Sequence, residues 1–263
     1  MQIDTIVTDL DDTLLNEHAK LSPFTLEVFA RAKRQGVRLI PASGRAARSM
    51  LQYTQLLDTG LPYLACNGSQ LVNADHTVMD SIDLPAELAK DILRYLKPYG
   101  FYAQSYRGDD FYYDLECASS VNYQRSSHMN GIAVGDLEAF TTFPVPKLLF
   151  VHDPAEVERI YPQIQQAFPN VVFTISKPYF LEAQPEGVSK GSALVRLSAM
   201  LEIAPERTMV FGDSLNDLSM LAFTPHSVAM GNARDDVKAA ARYVCQTNAE
   251  DGVARFVSEH VLT

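Results

Sequence analysis

The chain has 263 residues, of which 47% are hydrophobic and 21% are charged, and it carries a formal net charge of -10 with a pI near 5.0. This composition is typical of a globular protein with enough length for one large core or two domains, and it excludes extensive disorder. The acidic balance argues against a broad nucleic-acid surface, because such surfaces need clustered Lys and Arg.

The three cysteines, Cys66, Cys117 and Cys245, are far apart and show no CxxC spacing. This usage favours a reducing compartment over a disulfide framework or a zinc site. The first residues do not follow the pattern of an export signal, and no stretch approaches 18 apolar residues. We therefore expect a cytoplasmic protein without a membrane span.

The first third of the chain alternates strand and helix patterns. Ser22, Pro23 and Gly36 bound the first helical pattern, as its N-cap, its first residue and the residue beyond its end. The predicted strands are 5–10, 37–43 and one that begins within 62–69, and the predicted helices are 22–36 and 45–60. Strands and helices that alternate at these lengths predict a parallel sheet with right-handed crossovers.

The middle of the chain has a different character. An aromatic run, FYAQSYRGDDFYYDL at 101–115, predicts a β-hairpin with Asp109 and Asp110 in its turn, because alternating Tyr and Phe favour strands. Two helical patterns, 85–100 and 154–168, accompany it. These patterns predict a separate α+β domain.

The last third returns to alternating elements. The predicted helices are 189–201, 216–223, 233–241 and 251–262, and the predicted strands are 208–212, 227–231 and 243–247. We therefore predict an α/β fold, with a doubly wound, Rossmann-like parallel-sheet core at 1–82 and 184–263 and an inserted α+β domain at 83–183.

Polar residues at the carboxyl ends of the predicted strands are candidates for a binding site, because ligands bind there in open α/β sheets. Four groups stand at such strand ends or at helix starts: Asp9 with Asp11, Ser43 with Gly44, Lys190, and Asp213 with Asn216 and Asp217. The two-residue spacing of Asp9 and Asp11 would point both toward one side, provided that the strand continues that far. Ser43 and the amides after it are expected at the N-terminus of the helix predicted at 45–60, where they would form a phosphate-binding site.

The chemistry of these groups follows from their charge. Several carboxylates that lie close together repel one another and need a cation to stay ionised. A ligand set that contains oxygen atoms but no His or Cys suits Mg²⁺. Lys190 supplies a second positive charge beside a bound phosphoryl group. Attack by Asp9 on phosphorus would form an aspartyl-phosphate, and Asp11 is placed to protonate the leaving oxygen and later to deprotonate water.

The four groups resemble the sequence motifs of the haloacid dehalogenase superfamily of phosphohydrolases. DLDDT resembles its motif I (DxDxT), SGR its motif II, Lys190 its motif III and GDSLND its motif IV, in the same order. The resemblance implies that Asp9 is the nucleophile and a metal ligand, and that Asp11 is the acid/base and a ligand through its backbone carbonyl. The resemblance also implies that Asp213 binds the metal and that Asp217 is either a further ligand or a support for the ligands. The residues implied to bind the phosphoryl group are Ser43, Gly44, Lys190 and Asn216.

The position of the inserted domain narrows the resemblance. An insertion between motifs II and III looks like that of the Cof-type phosphatases with an α/β cap of type IIB, which implies Mg²⁺-dependent dephosphorylation of sugar phosphates or phosphorylated cofactors. Arg45 and Asn67 are further candidates for substrate binding. Asp12 departs from the family pattern, in which Gly is frequent at this position, and receives no role.

Each motif alone also has a structural explanation, as a turn, an N-cap or a solvated helix start. Three other functions stay open at this point: a phosphoaspartate signalling module, a sugar phosphomutase of the same superfamily, and an inactive family member that only binds its ligand. The order of the motifs disfavours the signalling module. We predict a phosphatase that acts on a small phosphorylated metabolite.

Overall fold

The computed structural model describes residues 2–262, which form two compact units. The first unit contains residues 2–44, 50–80 and 189–262, and the second contains residues 45–49 and 81–188. No helix within 2–262 is long and apolar enough to cross a membrane.

The chain contains short strands and helices in alternation. The strands are β1 (Thr5–Asp9), β2 (Arg38–Ala42), β3 (Tyr63–Ala65), β4 (Gln70–Val72), β5 (Val78–Ser81), β6 (Tyr102–Arg107), β7 (Asp110–Tyr113), β8 (Asn130–Ala133), β9 (Leu148–Val151), β10 (Val171–Lys177), β11 (Phe180–Pro185), β12 (Thr208–Gly212), β13 (His226–Ala229) and β14 (Tyr243–Val244). The helices are α1 (Pro23–Arg34), α2 (Ala47–Leu57), α3 (Ala86–Leu96), α4 (Ala118–Ser127), α5 (Leu137–Phe140), α6 (Pro154–Ala167), α7 (Lys190–Leu201), α8 (Leu218–Leu221), α9 (Asp235–Ala240) and α10 (Gly252–His260).

The first unit contains an eight-stranded sheet in the order β14-β13-β12-β1-β2-β3-β4-β5. The pairs from β14 to β3 are parallel, and β4 returns antiparallel to β3. The predicted α/β class and the parallel sheet are therefore confirmed. All residues of β1 and β12 are buried, as expected for central strands of a parallel sheet.

The register of this sheet places the ends of three strands side by side. Asp9 at the end of β1 pairs with Ala42 at the end of β2, and Thr8 pairs with Phe211 near the end of β12. Because the strands are parallel, the residues that follow β1, β2 and β12 all emerge at one edge of the sheet.

The boundaries of α1 follow the local sequence closely. The Ser22 hydroxyl accepts a hydrogen bond from the Thr25 amide at 2.9 Å, Pro23 is the first helical residue, and Gly36 beyond the helix has a φ of +78°. Capping of this kind satisfies backbone groups that a helix end leaves unpaired, and it explains why these positions were predictable.

The second unit contains a six-stranded sheet in the order β10-β11-β9-β6-β7-β8, with helices α3 to α6. Side chains of α3 and α6 join alternate residues of β9 and β11 in one buried apolar cluster. Within the predicted hairpin, Asp109 lies in the turn, whereas Asp110 already belongs to β7. Helix α4 was not predicted, because the segment ASSVNYQRSS offers almost no apolar face.

Candidate active site

Asp9 and Lys190 form the centre of the candidate site in the first unit. Asp9 ends β1 and Lys190 begins α7, and both side chains are buried. The Lys190 Nζ atom donates to Asp9 Oδ1 and to Asp217 Oδ1, each at 2.6 Å. Burial opposes the Lys190 charge, but the carboxylates of Asp217 and Asp9 outweigh it and raise the pKa of the ammonium group above its usual value. Lys190 therefore stays positively charged between two carboxylates.

The start of α7 is held in place by its own capping and by α8. Ser189 and Ser192 exchange side-chain-to-backbone hydrogen bonds in a capping box. The Gly191 amide donates to Ser219 Oγ at 3.0 Å, and a Cβ atom at Gly191 would lie 2.3 Å from the Ser219 carbonyl oxygen. Only glycine permits this approach, so Gly191 explains how Lys190 is brought to the strand ends.

Asp217 shapes the segment GDSLND. Its Oδ2 atom accepts hydrogen bonds from the backbone amides of Asp213 and Ser214, while its Oδ1 atom accepts the bond from Lys190. A Cβ atom at Gly212 would lie 2.5 Å from the Asp217 Cβ atom, which explains the glycine before Asp213. Through these three hydrogen bonds, Asp217 supports both Lys190 and the loop.

Asp213 completes an acidic group with Asp9 and Asp217. Each of the three offers a carboxylate oxygen within 4.8 Å of the others, and such a group is able to hold a metal ion. Burial, reinforced by the Asp217 charge, raises the pKa of Asp213 to about 6. Burial also raises the pKa of Asp9 well above its usual range, against the opposing charge of Lys190. The positive charge of Lys190 thus offsets the negative charges of this acidic group only in part.

Two hydroxyl groups that the sequence reasoning missed orient Asp213. Thr13 Oγ1 donates to Asp213 Oδ1 at 2.8 Å, and Ser214 Oγ donates to Asp213 Oδ2 at 2.7 Å. The signal for Thr13 was present, because it is the last residue of DLDDT. Ser214 directly follows Asp213 in GDSLND, where a hydroxyl is able to contact the preceding carboxylate.

Asp11 lies in a turn and not on the strand. β1 ends at Asp9, and residues 10–14 form an irregular helical turn that is closed by a 2.8 Å hydrogen bond from the Leu15 amide to the Leu10 carbonyl. The spacing argument that aligned Asp11 with Asp9 therefore does not apply, because the strand conformation stops too early. Asp11 is half-buried, and its charge adds to the burial that raises the pKa of Asp9.

Asp12 is exposed and adopts a left-handed backbone with φ +57° and ψ 8°. Glycine adopts this conformation freely and Asp is among the few other residues that tolerate it. The left-handed backbone explains why Asp is tolerated at a position where Gly is frequent in the haloacid dehalogenase superfamily.

The backbone of Asp12 leads to a prediction about stability. Asp12→Gly should leave the free energy of unfolding nearly unchanged, whereas Asp12→Val should lower it by about 1–2 kcal/mol, because a β-branched side chain is strained at positive φ. Urea unfolding followed by circular dichroism measures both. Equal stability of the two variants would show that the left-handed conformation is not required.

Ser43, Asn67 and Asn216 are linked by hydrogen bonds. The Asn67 amide donates to the Ser43 carbonyl at 2.9 Å, and the Asn67 Oδ1 atom accepts from Asn216 Nδ2 at 2.9 Å. A Cβ atom at Gly44 would lie 2.9 Å from Asn67 Oδ1, so glycine makes room for this side chain. Asn67 thus connects the segment after β2 with the segment after β12.

The helix predicted at 45–60 is α2, which begins at Ala47, so Ser43 does not stand at the start of a helix. The Ser43 amide donates to the Leu64 carbonyl in β3 at 2.9 Å. Arg45 belongs by its contacts to the second unit, and its Nη1 atom donates to Ser49 Oγ at 3.2 Å. The structure therefore gathers the predicted site residues of the first unit, and the role of Arg45 stays a prediction.

Comparisons with known proteins agree with this geometry. The family model of the haloacid dehalogenase-like hydrolases matches residues 6–257. A pyridoxal phosphate phosphatase of Escherichia coli is 28% identical over 273 residues, which is 98% of either chain. A haloacid dehalogenase-like hydrolase from Bacteroides thetaiotaomicron has a solved structure with a TM-score of 0.90 and 30% identity, over 98% of this chain and 99% of that one.

A third similar protein belongs to subclass IIB of the superfamily. The solved structure of a subclass IIB sugar phosphatase of the same superfamily has a TM-score of 0.82 and 25% identity, over 97% of this chain and 98% of that one. The resemblance that the four motifs indicated is confirmed by these findings. The chain belongs to the haloacid dehalogenase-like hydrolases and is a phosphatase of that family.

Proposed function

We propose that this protein is a Mg²⁺-dependent phosphomonoester hydrolase that acts on small phosphorylated metabolites through an aspartyl-phosphate on Asp9. The observation that carries the proposal is the Asp9 carboxylate, which lies buried at the end of β1 with Lys190 Nζ 2.6 Å away and with Asp213 in the same acidic group. A nucleophile beside a fixed cation and a potential metal site is what phosphoryl transfer requires.

The donor set fits Mg²⁺ better than zinc. Asp9, Asp213 and Asp217 supply only oxygen atoms, and Mg²⁺ prefers oxygen ligands while retaining several waters. We assign Asp9 and Asp213 as ligands, with the Asp11 carbonyl that the family resemblance implies, and Asp217 as their support. When bound, Mg²⁺ would offset the negative charge of the phosphoryl group and of the carboxylates.

In the proposed reaction, Asp9 is the nucleophile and Asp11 is the general acid and base. An Asp9 oxygen forms a bond to phosphorus while the bond from phosphorus to the leaving oxygen breaks, and Asp11 donates a proton to that oxygen. Water then gives a proton to Asp11 and attacks the phosphoaspartate, which releases inorganic phosphate and restores the Asp9 carboxylate. Lys190 neutralises charge on the phosphoryl oxygens, and Ser43, with the amides after it, donates to them.

The similar proteins support the proposed substrate class. The relatives include a pyridoxal phosphate phosphatase and a sugar phosphatase, so the proposed substrates are phosphorylated cofactors and sugar phosphates. Their names favour transfer of the phosphoryl group to water over the mutase alternative. We propose that residues 83–183 form the cap domain and select the leaving group, with Arg45 and Asn67 as further candidates.

Phosphate release tests the proposal directly. With Mg²⁺, the purified protein should release inorganic phosphate from p-nitrophenyl phosphate and from at least one member of a panel of sugar phosphates and phosphorylated cofactors. EDTA should stop the release and excess Mg²⁺ should restore it, because the site would lose and regain its cation. No release from any compound, or full release in EDTA, would contradict the proposal, and transfer to a sugar hydroxyl would indicate a mutase.

A further inference from the structure

The turn that carries Asp11 has an irregular backbone. Within residues 10–14, Asp11 (φ −70°, ψ 131°) and Asp12 (φ +57°, ψ 8°) both depart from helical dihedral angles. A hydrogen bond from the Leu15 amide to the Leu10 carbonyl closes the turn. A segment with irregular dihedral angles keeps one conformation only if its surroundings hold it.

Two asparagines from distant loops bind carbonyl oxygens of this turn and of its end. Asn232 Nδ2 donates to the Asp12 carbonyl at 2.8 Å, directly after Asp11. Asn248 Nδ2 donates to the buried carbonyl of Leu15 at 3.0 Å. Asn232 follows β13 and Asn248 follows β14, so these bonds connect the turn after β1 to the loops of two other parallel strands.

The two asparagines also orient each other. The Asn248 backbone amide donates to Asn232 Oδ1 at 3.0 Å. A backbone N–H pairs with the oxygen of a side-chain amide and not with its NH₂ group, so this bond settles which way the Asn232 amide faces. The Nδ2 group of Asn232 is consequently left for the Asp12 carbonyl.

We propose that Asn232 and Asn248 are positioning residues for Asp11. By holding the carbonyls of Asp12 and Leu15, they fix the peptide group that follows Asp12 and the end of the turn. This restricts the backbone next to Asp11, and therefore the place of the Asp11 carboxyl relative to Asp9. The inference rests on the proposed function, in which Asp11 protonates the leaving oxygen. Its consequence is selective: a misplaced acid impairs expulsion of a basic alkoxide far more than expulsion of p-nitrophenolate, which leaves readily without a proton.

Asn232→Asp tests the hydrogen bond from Asn232 to the Asp12 carbonyl most directly. It keeps an oxygen for the Asn248 amide, removes the donor to the Asp12 carbonyl and places a carboxylate oxygen beside that carbonyl. The measurement is kcat/KM for an alkyl phosphate from the active panel and for p-nitrophenyl phosphate, in the same preparation with Mg²⁺. Their ratio does not depend on the folded fraction, because that fraction enters both values equally.

We expect kcat/KM for the alkyl phosphate to fall by about 10-fold or more and that for p-nitrophenyl phosphate by less than about threefold, a selective loss typical of impaired general-acid catalysis. Asn232→Ala should show the same selectivity, and Asp11→Asn should show it more strongly. Asn73→Asp is the matched control, because Asn73 Nδ2 donates to Thr77 Oγ1 at 3.1 Å in a loop far along the chain from Asp11. This control should change neither value.

Equal losses for both substrates in Asn232→Asp, or no loss, would overturn the positioning role while leaving the phosphatase proposal intact. An unchanged ratio in Asp11→Asn would overturn the acid role of Asp11 and the inference with it. A wild-type protein without phosphatase activity would instead overturn the proposed function.

Discussion

Asp9→Asn should abolish turnover, lowering kcat by on the order of 10⁴-fold or more, as removal of a covalent nucleophile generally does. The substitution keeps the shape of the side chain but takes away the carboxylate that would attack phosphorus. Phosphate release from p-nitrophenyl phosphate with Mg²⁺ measures the loss. Retention of activity within tenfold of the wild type would rule out Asp9 as the nucleophile.

The folded state should tolerate Asp9→Asn well. Burial already raises the pKa of Asp9 well above its usual range, so the metal-free site accepts a neutral group in this position. We expect the free energy of unfolding in EDTA at pH 7.5 to stay close to that of the wild type. Asp12→Asn is the matched control, because Asp12 is exposed and Asn also tolerates a left-handed backbone, so this variant should keep both stability and activity.

Lys190→Met should destroy activity and should also destabilise the protein. Lys190 is 1% exposed and holds Asp9 and Asp217 at 2.6 Å each, so its removal leaves two buried carboxylates without their cation. The loss of one partner from a buried ion pair costs about 3–5 kcal/mol. Urea unfolding at pH 7.5 in EDTA should show a loss of that size.

The pH dependence identifies the cause of this loss. Without Lys190, the pKa values of the remaining carboxyls rise further in the folded state. A carboxyl with a raised folded pKa stabilises the fold below its unfolded pKa, and this contribution is lost as the pH rises through the folded pKa. In the wild type, Asp213 already has a pKa of about 6. The deficit of Lys190→Met should therefore shrink between pH 7.5 and pH 5.5.

Lys33→Met provides the matched control for this experiment. Lys33 also pairs with a carboxylate, Asp58, at 2.8 Å, but its side chain is 51% exposed. An exposed pair contributes about 0–1 kcal/mol, because water screens it. A stability loss as large for Lys33→Met as for Lys190→Met, or a deficit of Lys190→Met that does not change with pH, would contradict the buried-charge explanation.

Local sequence signals determined much of the architecture. The caps around Ser22 and Gly36, the β-branched runs of the buried strands and the regular alternation of elements were sufficient to predict the parallel sheet. These signals work because residues next to a helix end cap it, and because a strand that is buried on both faces needs a continuous apolar run. Segment 118–127 escaped detection, because α4 lacks the apolar periodicity on which such predictions rely.

The motifs determined which residues to inspect, and the register of the sheet decided which of them meet. Lys190 is 181 residues from Asp9 in sequence, yet the two are 2.6 Å apart, because α7 begins beside the ends of β1 and β12. Close approaches through Gly191 and Gly212 decide this placement, and they involve residues far apart in the chain. A local pattern carries no information about such contacts.

For the aspartates of DLDDT, the sequence by itself determined that carboxylates follow a buried strand, and hence that a charged centre lies at the edge of the sheet. Only the tertiary structure decided that the strand ends at Asp9, that Asp12 takes a left-handed backbone, and that Asn232 and Asn248 hold the turn carrying Asp11. The physical reason is that an irregular turn has no repeating hydrogen-bond pattern of its own. Its conformation depends on donors that distant loops supply.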